Sequence, residues 1–144
     1  MVGQDGSVRV AVGSDEASAL VPAIRELLEQ LGIEVVEPVP VGSPWPDVGR
    51  SVGAAVAAGR ADAGIVCCWT GTGVSIAANK VPGIRAALCA DAETAVGARR
   101  WNDANVLALS NRATTPAVAA EVVRAFLAPG EVDPDEVDNI RSLP

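Results

Sequence analysis

Five short apolar segments, each followed by a stretch in which apolar residues recur at helical spacing, run through this sequence. The first segment, VRVAV at 8–12, is rich in β-branched residues, and the helical pattern after it ends at Gly32. Parallel strands need a long crossover connection, usually a helix, to join them. A repeated alternation of strand and helix therefore predicts a parallel sheet covered by helices on both faces. The predicted strands are 8–12, 33–36, 62–67, 84–89 and 106–109.

The chain is expected to form one domain. With 144 residues it is long enough for one hydrophobic core, and it contains no internal repeat or linker. We expect an α/β fold, a Rossmann-like three-layer α/β/α sandwich with a five-stranded parallel sheet, over residues 1–144. The core is predicted to span 8–128. Residues 129–144 form an acidic tail with several prolines, which we expect to be extended or loosely packed.

Residues that favour helix starts give approximate positions for the helices. Asp47 is expected to cap the second helix, and the third is expected to begin near Val74. Asp91 and Thr115 are expected to open the fourth and fifth helices.

Charge and cysteine content exclude several classes of function. The net charge is −7 and the basic residues form no cluster, so nucleic acid and anionic membranes are poor partners. No apolar run approaches the ~18–20 residues of a membrane span. The N-terminal MVGQDGS lacks the features of a signal peptide.

The sequence has three cysteines, no histidine and no CxxC pair, which argues against disulfides and against a metal site. We expect a cytoplasmic protein with a small-molecule substrate and no metal or other cofactor.

The segment VCCWTGTGVSIAANK at 66–80 carries the strongest chemical signal. A buried strand ends near Cys68, a Gly/Thr turn follows, and a helix of small residues begins. The free N–H groups of such a loop and helix start bind anions, and the same positive end favours the thiolate form of a nearby cysteine. A base beside an oxyanion site is what proton abstraction next to a carbonyl group requires.

Ligands of open parallel sheets bind beyond the carboxyl ends of the strands. Because side chains alternate along a strand, Cys67 and Cys68 must point to opposite sides. We expect Cys68 to face the pocket, and Cys67 and Cys89 to be structural. The residues at the predicted strand ends are Gly13-Ser14-Asp15, Cys67-Cys68, Cys89-Ala90-Asp91 and Ser110-Asn111-Arg112.

Four motifs and the nearby Arg112 carry a family resemblance: VGSDEA, CWTGTGVSIAANK, GIRAALCAD and ARRWNDANVLAL. On these motifs the chain resembles the ribose-5-phosphate isomerase B and galactose-6-phosphate isomerase family over residues 8–127. The resemblance implies an intramolecular oxidoreductase of the aldose–ketose type that works through a cis-enediolate. It also implies a homodimer or tetramer in which each pocket is shared between two subunits.

The resemblance further implies roles for individual residues. Cys68 matches the family's proton-shuttling cysteine, and Thr70 matches its partner hydroxyl. Asp15 and Asn102 match positions that contact the substrate, and Arg112 matches an arginine at the phosphate end. The loop whose backbone holds the enediolate oxygens corresponds to Gly71, Thr72, Gly73, Val74 and Ser75.

The chain departs from the family pattern at several of these positions. Glu16 stands where a histidine usually contacts the phosphate, and Trp101 where a histidine helps to open the sugar ring. Trp69 replaces a glycine, Trp45 occupies a position often held by tyrosine or histidine, and the family's C-terminal arginines have no clear match. A phosphate carries about −1.5 to −2 charges near neutrality. These changes favour a non-phosphorylated or larger, partly apolar ligand that packs against indole rings.

Three functions remain open: an isomerase with an altered substrate, an enzyme of another class acting on a non-sugar metabolite, and a catalytically inactive binding protein. Glu16 is either a catalytic replacement for the missing histidine or a solvated side chain, and Asp15 also fits the role of a helix cap. Trp45 and Trp101 also suit an oligomer interface. Retention of Cys68 and of the glycine loop favours the two enzyme hypotheses.

Overall fold

The computed structural model describes residues 6–144, and within this range it contains one sheet of five parallel strands. The expectations for the first five residues lie outside the described range. The strands are β1 (Arg9–Ser14), β2 (Glu34–Val36), β3 (Ala63–Cys68), β4 (Ala86–Leu88) and β5 (Val106–Ser110). The helices are α1 (Leu20–Gln30), α2 (Trp45–Ala57), α3 (Thr72–Asn79), α4 (Ala92–Asn102), α5 (Pro116–Leu127), a 3-10 turn (Pro134–Glu136) and α6 (Val137–Arg141).

The strand order is β2-β1-β3-β5-β4, so β3 lies at the centre with β1 and β5 on either side. The register pairs Ser14 of β1 with Cys67, and Cys68 with Ser110 of β5. The carboxyl ends of the three central strands therefore finish level with one another.

Two apolar cores, one on each face of the sheet, hold the layers together. The first joins α1, α4 and α5 to the sheet and includes Ile24, Leu107 and Phe126, all 1% exposed or less. The second lies under α2 and α3 and includes Val52 and Val74, which are fully buried. Helices thus cover both faces, and the predicted three-layer α/β/α sandwich is confirmed.

Several predicted boundaries were wrong for local reasons. Helix α2 begins at Trp45 instead of being capped by Asp47, because a proline after it fits the first helical turn. Helix α3 begins at Thr72, before the expected Val74. The tail, expected to be extended or loosely packed, contains the 3-10 turn and α6, and neither of these two elements has a buried residue. Asp133 anchors this tail, since its backbone N–H donates to the carbonyl of Arg100 at 2.8 Å.

The predicted caps of α4 and α5 are confirmed. The side chain of Asp91 accepts a hydrogen bond from the N–H of Thr94 at 2.7 Å, and that of Thr115 accepts from Val118 at 3.2 Å. Among residues 6–144, no helix combines the length and the apolar character that crossing a bilayer would need.

Candidate active site

A crevice forms at the carboxyl edge of the sheet because the connections diverge there. The chain leaves β1 and β5 toward the α1 and α5 side, whereas it leaves β3 toward the α3 side. Such a reversal between neighbouring strands is where open α/β sheets bind their ligands. The ends of β1, β3 and β5 therefore define the candidate active site.

Cys68 is the last residue of β3, at the base of this crevice. It is 5% exposed and packs in the core under α2 and α3, whereas Cys67 packs in the core on the opposite face. The predicted opposite orientation of the two thiols is thus confirmed. Burial, followed by the nearby Cys68 and Asp15, raises the pKa of Cys67 to about 12. Burial, followed by Asp91, raises the pKa of Cys89 to about 11.

The turn after Cys68 brings the start of α3 to the crevice. Gly71 precedes the helix with a φ of +78°, and a Cβ there would lie 2.9 Å from the carbonyl carbon of Leu109. Glycine is therefore required both by the left-handed backbone and by the close approach of β5. Within the described part of the chain, no side chain caps α3. In the predicted segment Gly71, Thr72, Gly73, Val74 and Ser75, the N–H of Ser75 donates to the carbonyl of Gly71 at 3.3 Å. The N–H groups before it, at the start of the helix, are the ones placed to bind an anion.

Two further side chains shape this wall of the crevice. The hydroxyl oxygens of Thr70 and Thr72 are 2.7 Å apart, so the two side chains hold each other in place. The indole of Trp45, at the start of α2, packs over Gly73, where a Cβ would lie 3.0 Å from the ring. Both threonines and this indole therefore stand beside the N–H groups of α3.

Asp15 follows β1, and the strand register continues to place it beside Cys68. Its backbone N–H donates to the carbonyl of Cys67 at 3.3 Å. Its Oδ1 atom is buried and has no hydrogen-bond partner among the described residues. Burial first, and repulsion from Glu16 second, raise the pKa of Asp15. A buried carboxylate oxygen without a partner is costly, which agrees with the raised pKa of Asp15.

Glu16 belongs to a network that spans β3. The side-chain amide of Asn111, which follows β5, donates to Glu16 Oε1 at 3.4 Å and to Ser14 Oγ at 3.3 Å. Ser18 Oγ donates to Asn111 Oδ1 at 2.9 Å. Glu16 is half-buried, and its side chain accepts from the Asn111 amide. The sequence placed Asn111 at a strand end that borders the expected pocket, but it gave no specific role for this side chain.

Arg112 is exposed at the same edge, and its backbone N–H donates to the carbonyl of Trp69 at 2.9 Å. Neither Arg112 nor Glu16 forms an ion pair with another side chain in the described range. The crevice thus carries an unpaired cation and unpaired carboxylates.

The tryptophans divide between the two edges of the sheet. Trp45 and Trp69, 44% and 58% exposed, lie at the carboxyl edge with Cys68. Trp101, 53% exposed, and Asn102 end α4 and lie at the amino edge, where Asn102 lines a cavity of about 570 Å³. A single chain therefore does not bring these two residues to Cys68.

Similarity to known proteins identifies the family. The model of the Ribose/Galactose Isomerase family matches residues 10–140. The chain belongs to this family. This confirms the resemblance inferred from the motifs, and with it the prediction of an isomerase of the aldose–ketose type.

Individual relatives in the Ribose/Galactose Isomerase family align over most of the chain. It is 39% identical to the D-erythrulose-4-phosphate isomerase of Pectobacterium atrosepticum, over 82% of this chain and 81% of that protein. It is 37% identical to the ribose-5-phosphate isomerase B of Escherichia coli, over 83% of each. The structure of Clostridium thermocellum ribose-5-phosphate isomerase B superposes with a TM-score of 0.87 at 36% identity and covers 93% of both chains.

Proposed function

We propose that this protein interconverts an aldose and a ketose with Cys68 as the base. The observation that carries the proposal is the position of Cys68 at the end of β3, beside the start of α3, where no described side chain caps the helix. A thiolate there is placed to remove a proton from a carbon next to a carbonyl group. The developing negative charge on oxygen is then stabilised by backbone N–H groups at a helix N-terminus.

The reaction is balanced without an external acid or base. The Cys68 thiolate takes the proton from C2 of the open-chain aldose, and the electron pair moves through C1 to O1. The N–H groups of residues 71–74 hold O1 and O2 of the enediolate, and the Thr70 hydroxyl passes the O2 proton to O1. The Cys68 thiol then returns its proton to C1, which yields the ketose and restores the thiolate.

We further propose that the substrate is an atypical sugar, without a phosphate or with its anionic group away from Glu16. A histidine in the place of Glu16 would attract a phosphate, whereas this carboxylate repels it. Arg112 remains as an exposed cation for a less demanding anionic or polar group.

The proton transfer is tested by isotope exchange. D-ribose and D-ribose 5-phosphate are each incubated with the protein in D₂O, and deuterium at C1 of the ketose and C2 of the aldose is followed by NMR. Cys68→Ala should abolish exchange. Cys89→Ala should retain exchange, because the thiol that it removes is fully buried and lies away from the crevice. Exchange that persists in Cys68→Ala would move the base to another group.

We also propose that a second copy of the chain supplies Trp101 and Asn102 to the crevice. Strand β3 has six residues, which separates the two edges of the sheet by about 20 Å. The Cys68→Ala and Asn102→Ala variants should each be inactive. When equal amounts of the two variants are refolded together, half of the dimers contain one subunit of each kind and have one intact pocket, so about a quarter of the activity of the natural protein should return. A mixture that forms hybrid dimers without regaining activity would contradict the shared pocket.

A further inference from the structure

We propose that Asn111 is a positioning residue, which holds the carboxylate of Glu16 across β3 and thereby makes the crevice discriminate against phosphorylated ligands. This inference rests on the proposed function in that it concerns the same crevice. It goes further because it assigns the discrimination against phosphorylated ligands to the contact between Asn111, after β5, and Glu16, after β1.

Hydrogen bonds hold both the backbone and the side chain of Asn111 in place. Its backbone N–H donates to the carbonyl of Cys68 at 2.9 Å, which fixes the residue directly beside the proposed base. Its side-chain amide donates to Ser14 Oγ and Glu16 Oε1, and its Oδ1 accepts from Ser18. Since each polar group of the side chain has a partner, the Asn111 amide has one preferred orientation.

The contact with Glu16 crosses the central strand. Glu16 follows β1 and Asn111 follows β5, and β3 lies between these two strands. The side-chain bridge therefore runs over the end of β3, on the wall opposite the N–H groups of α3. Without the amide of Asn111, the Glu16 side chain would be free to rotate toward solvent, where water would screen its charge.

A double-mutant cycle tests the inference by direct binding of inorganic phosphate, measured by isothermal titration, so that no turnover is needed. Glu16→Gln removes the charge but keeps hydrogen-bonding atoms, and Asn111→Ala releases the side chain. Glu16→Gln should tighten phosphate binding by about fivefold or more, the effect of one charge a few ångströms away at high dielectric. Asn111→Ala keeps the charge but lets it move away, so it should tighten phosphate binding measurably and by no more than Glu16→Gln does. The double variant should bind like Glu16→Gln alone, because Asn111 acts only through Glu16.

Kinetic constants separate positioning from a general structural role. Asn111→Ala should lower KM for D-ribose 5-phosphate relative to D-ribose, while kcat for the two sugars changes in parallel. Equal changes in KM for both sugars, or additive effects of the two substitutions on phosphate binding, would overturn the proposal. If no sugar undergoes exchange, the proposed isomerisation fails, but the phosphate cycle still decides the role of Asn111.

Two controls protect the interpretation. Asn139 donates its amide to Glu136 Oε2 at 3.0 Å in the tail, so Asn139→Ala removes the same kind of contact away from the crevice. It should leave phosphate affinity unchanged. If Asn111→Ala does not fold, Asn111→Ser retains a hydroxyl for Ser18 but is too short to reach Glu16, and the same outcomes are expected.

Discussion

Gly71→Ala is the substitution whose cost can be worked out most directly from the structure. The residue has a φ of +78°, in the left-handed region that an alanine adopts at a cost of about 1–2 kcal/mol. A Cβ would also lie 2.6 Å from Leu88 Cδ1 and 2.9 Å from the carbonyl carbon of Leu109. The leucine side chain can rotate away, but the backbone of β5 is fixed by its pairing with β3.

Gly59 provides a matched control, since it has a φ of +75° and a Cβ at this position would meet nothing within 4 Å. Gly59→Ala should therefore cost only the backbone term, about 1–2 kcal/mol of unfolding free energy. Gly71→Ala adds overpacking against β5, about 1–3 kcal/mol, for a total of about 2–5 kcal/mol.

Urea titrations of both variants at one protein concentration, followed by circular dichroism, measure this difference. Gly71→Ala should also weaken ligand binding, because relief of the clash moves the N–H groups at the start of α3. Equal destabilisation by the two substitutions would refute the conclusion that β5 requires a glycine at position 71.

Alkylation with iodoacetamide at pH 8 should modify Cys68 before the other two cysteines, because Cys68 is 5% exposed whereas Cys67 and Cys89 are 0% exposed and have raised pKa values. Mass spectrometry identifies the modified cysteines, and early modification of Cys67 would contradict this prediction. Since the folded state raises the pKa of Asp15, its ionisation should reduce stability as pH rises above its unfolded pKa of about 3.9. Asp15→Asn should therefore gain stability over the natural protein between pH 3 and pH 7 in urea titrations, and a constant difference would disprove the cost of the buried charge. Trp45→Ala should weaken ligand binding by about 0.5–1.5 kcal/mol beyond lost contact area and reduce the ligand-induced change in indole fluorescence, whereas unchanged binding would place the ligand away from this ring.

The local features of the fold were predictable because they depend on residues close together in the chain. Alternating side chains along a strand predicted that Cys67 and Cys68 lie on opposite faces, and the two residues pack in the cores on the two sides of the sheet. The side chains of Asp91 and Thr115 each accept from an N–H group three residues later, so their role as helix caps could be inferred from neighbouring residues alone. The start of α2 was missed because a proline-rich segment fits both a loop and a first helical turn.

The sequence by itself determined the alternation of strands and helices, the residues at the strand ends and the family motifs. Only the tertiary structure decided which strand ends are neighbours, through the order β2-β1-β3-β5-β4. That order brings Glu16 to Asn111, 95 positions apart. The spacing of apolar residues shows which side of each segment is buried, but it does not show the order in which the strands pair. The contacts that complete the crevice therefore follow from strand order, which the pattern of apolar residues along the chain does not encode.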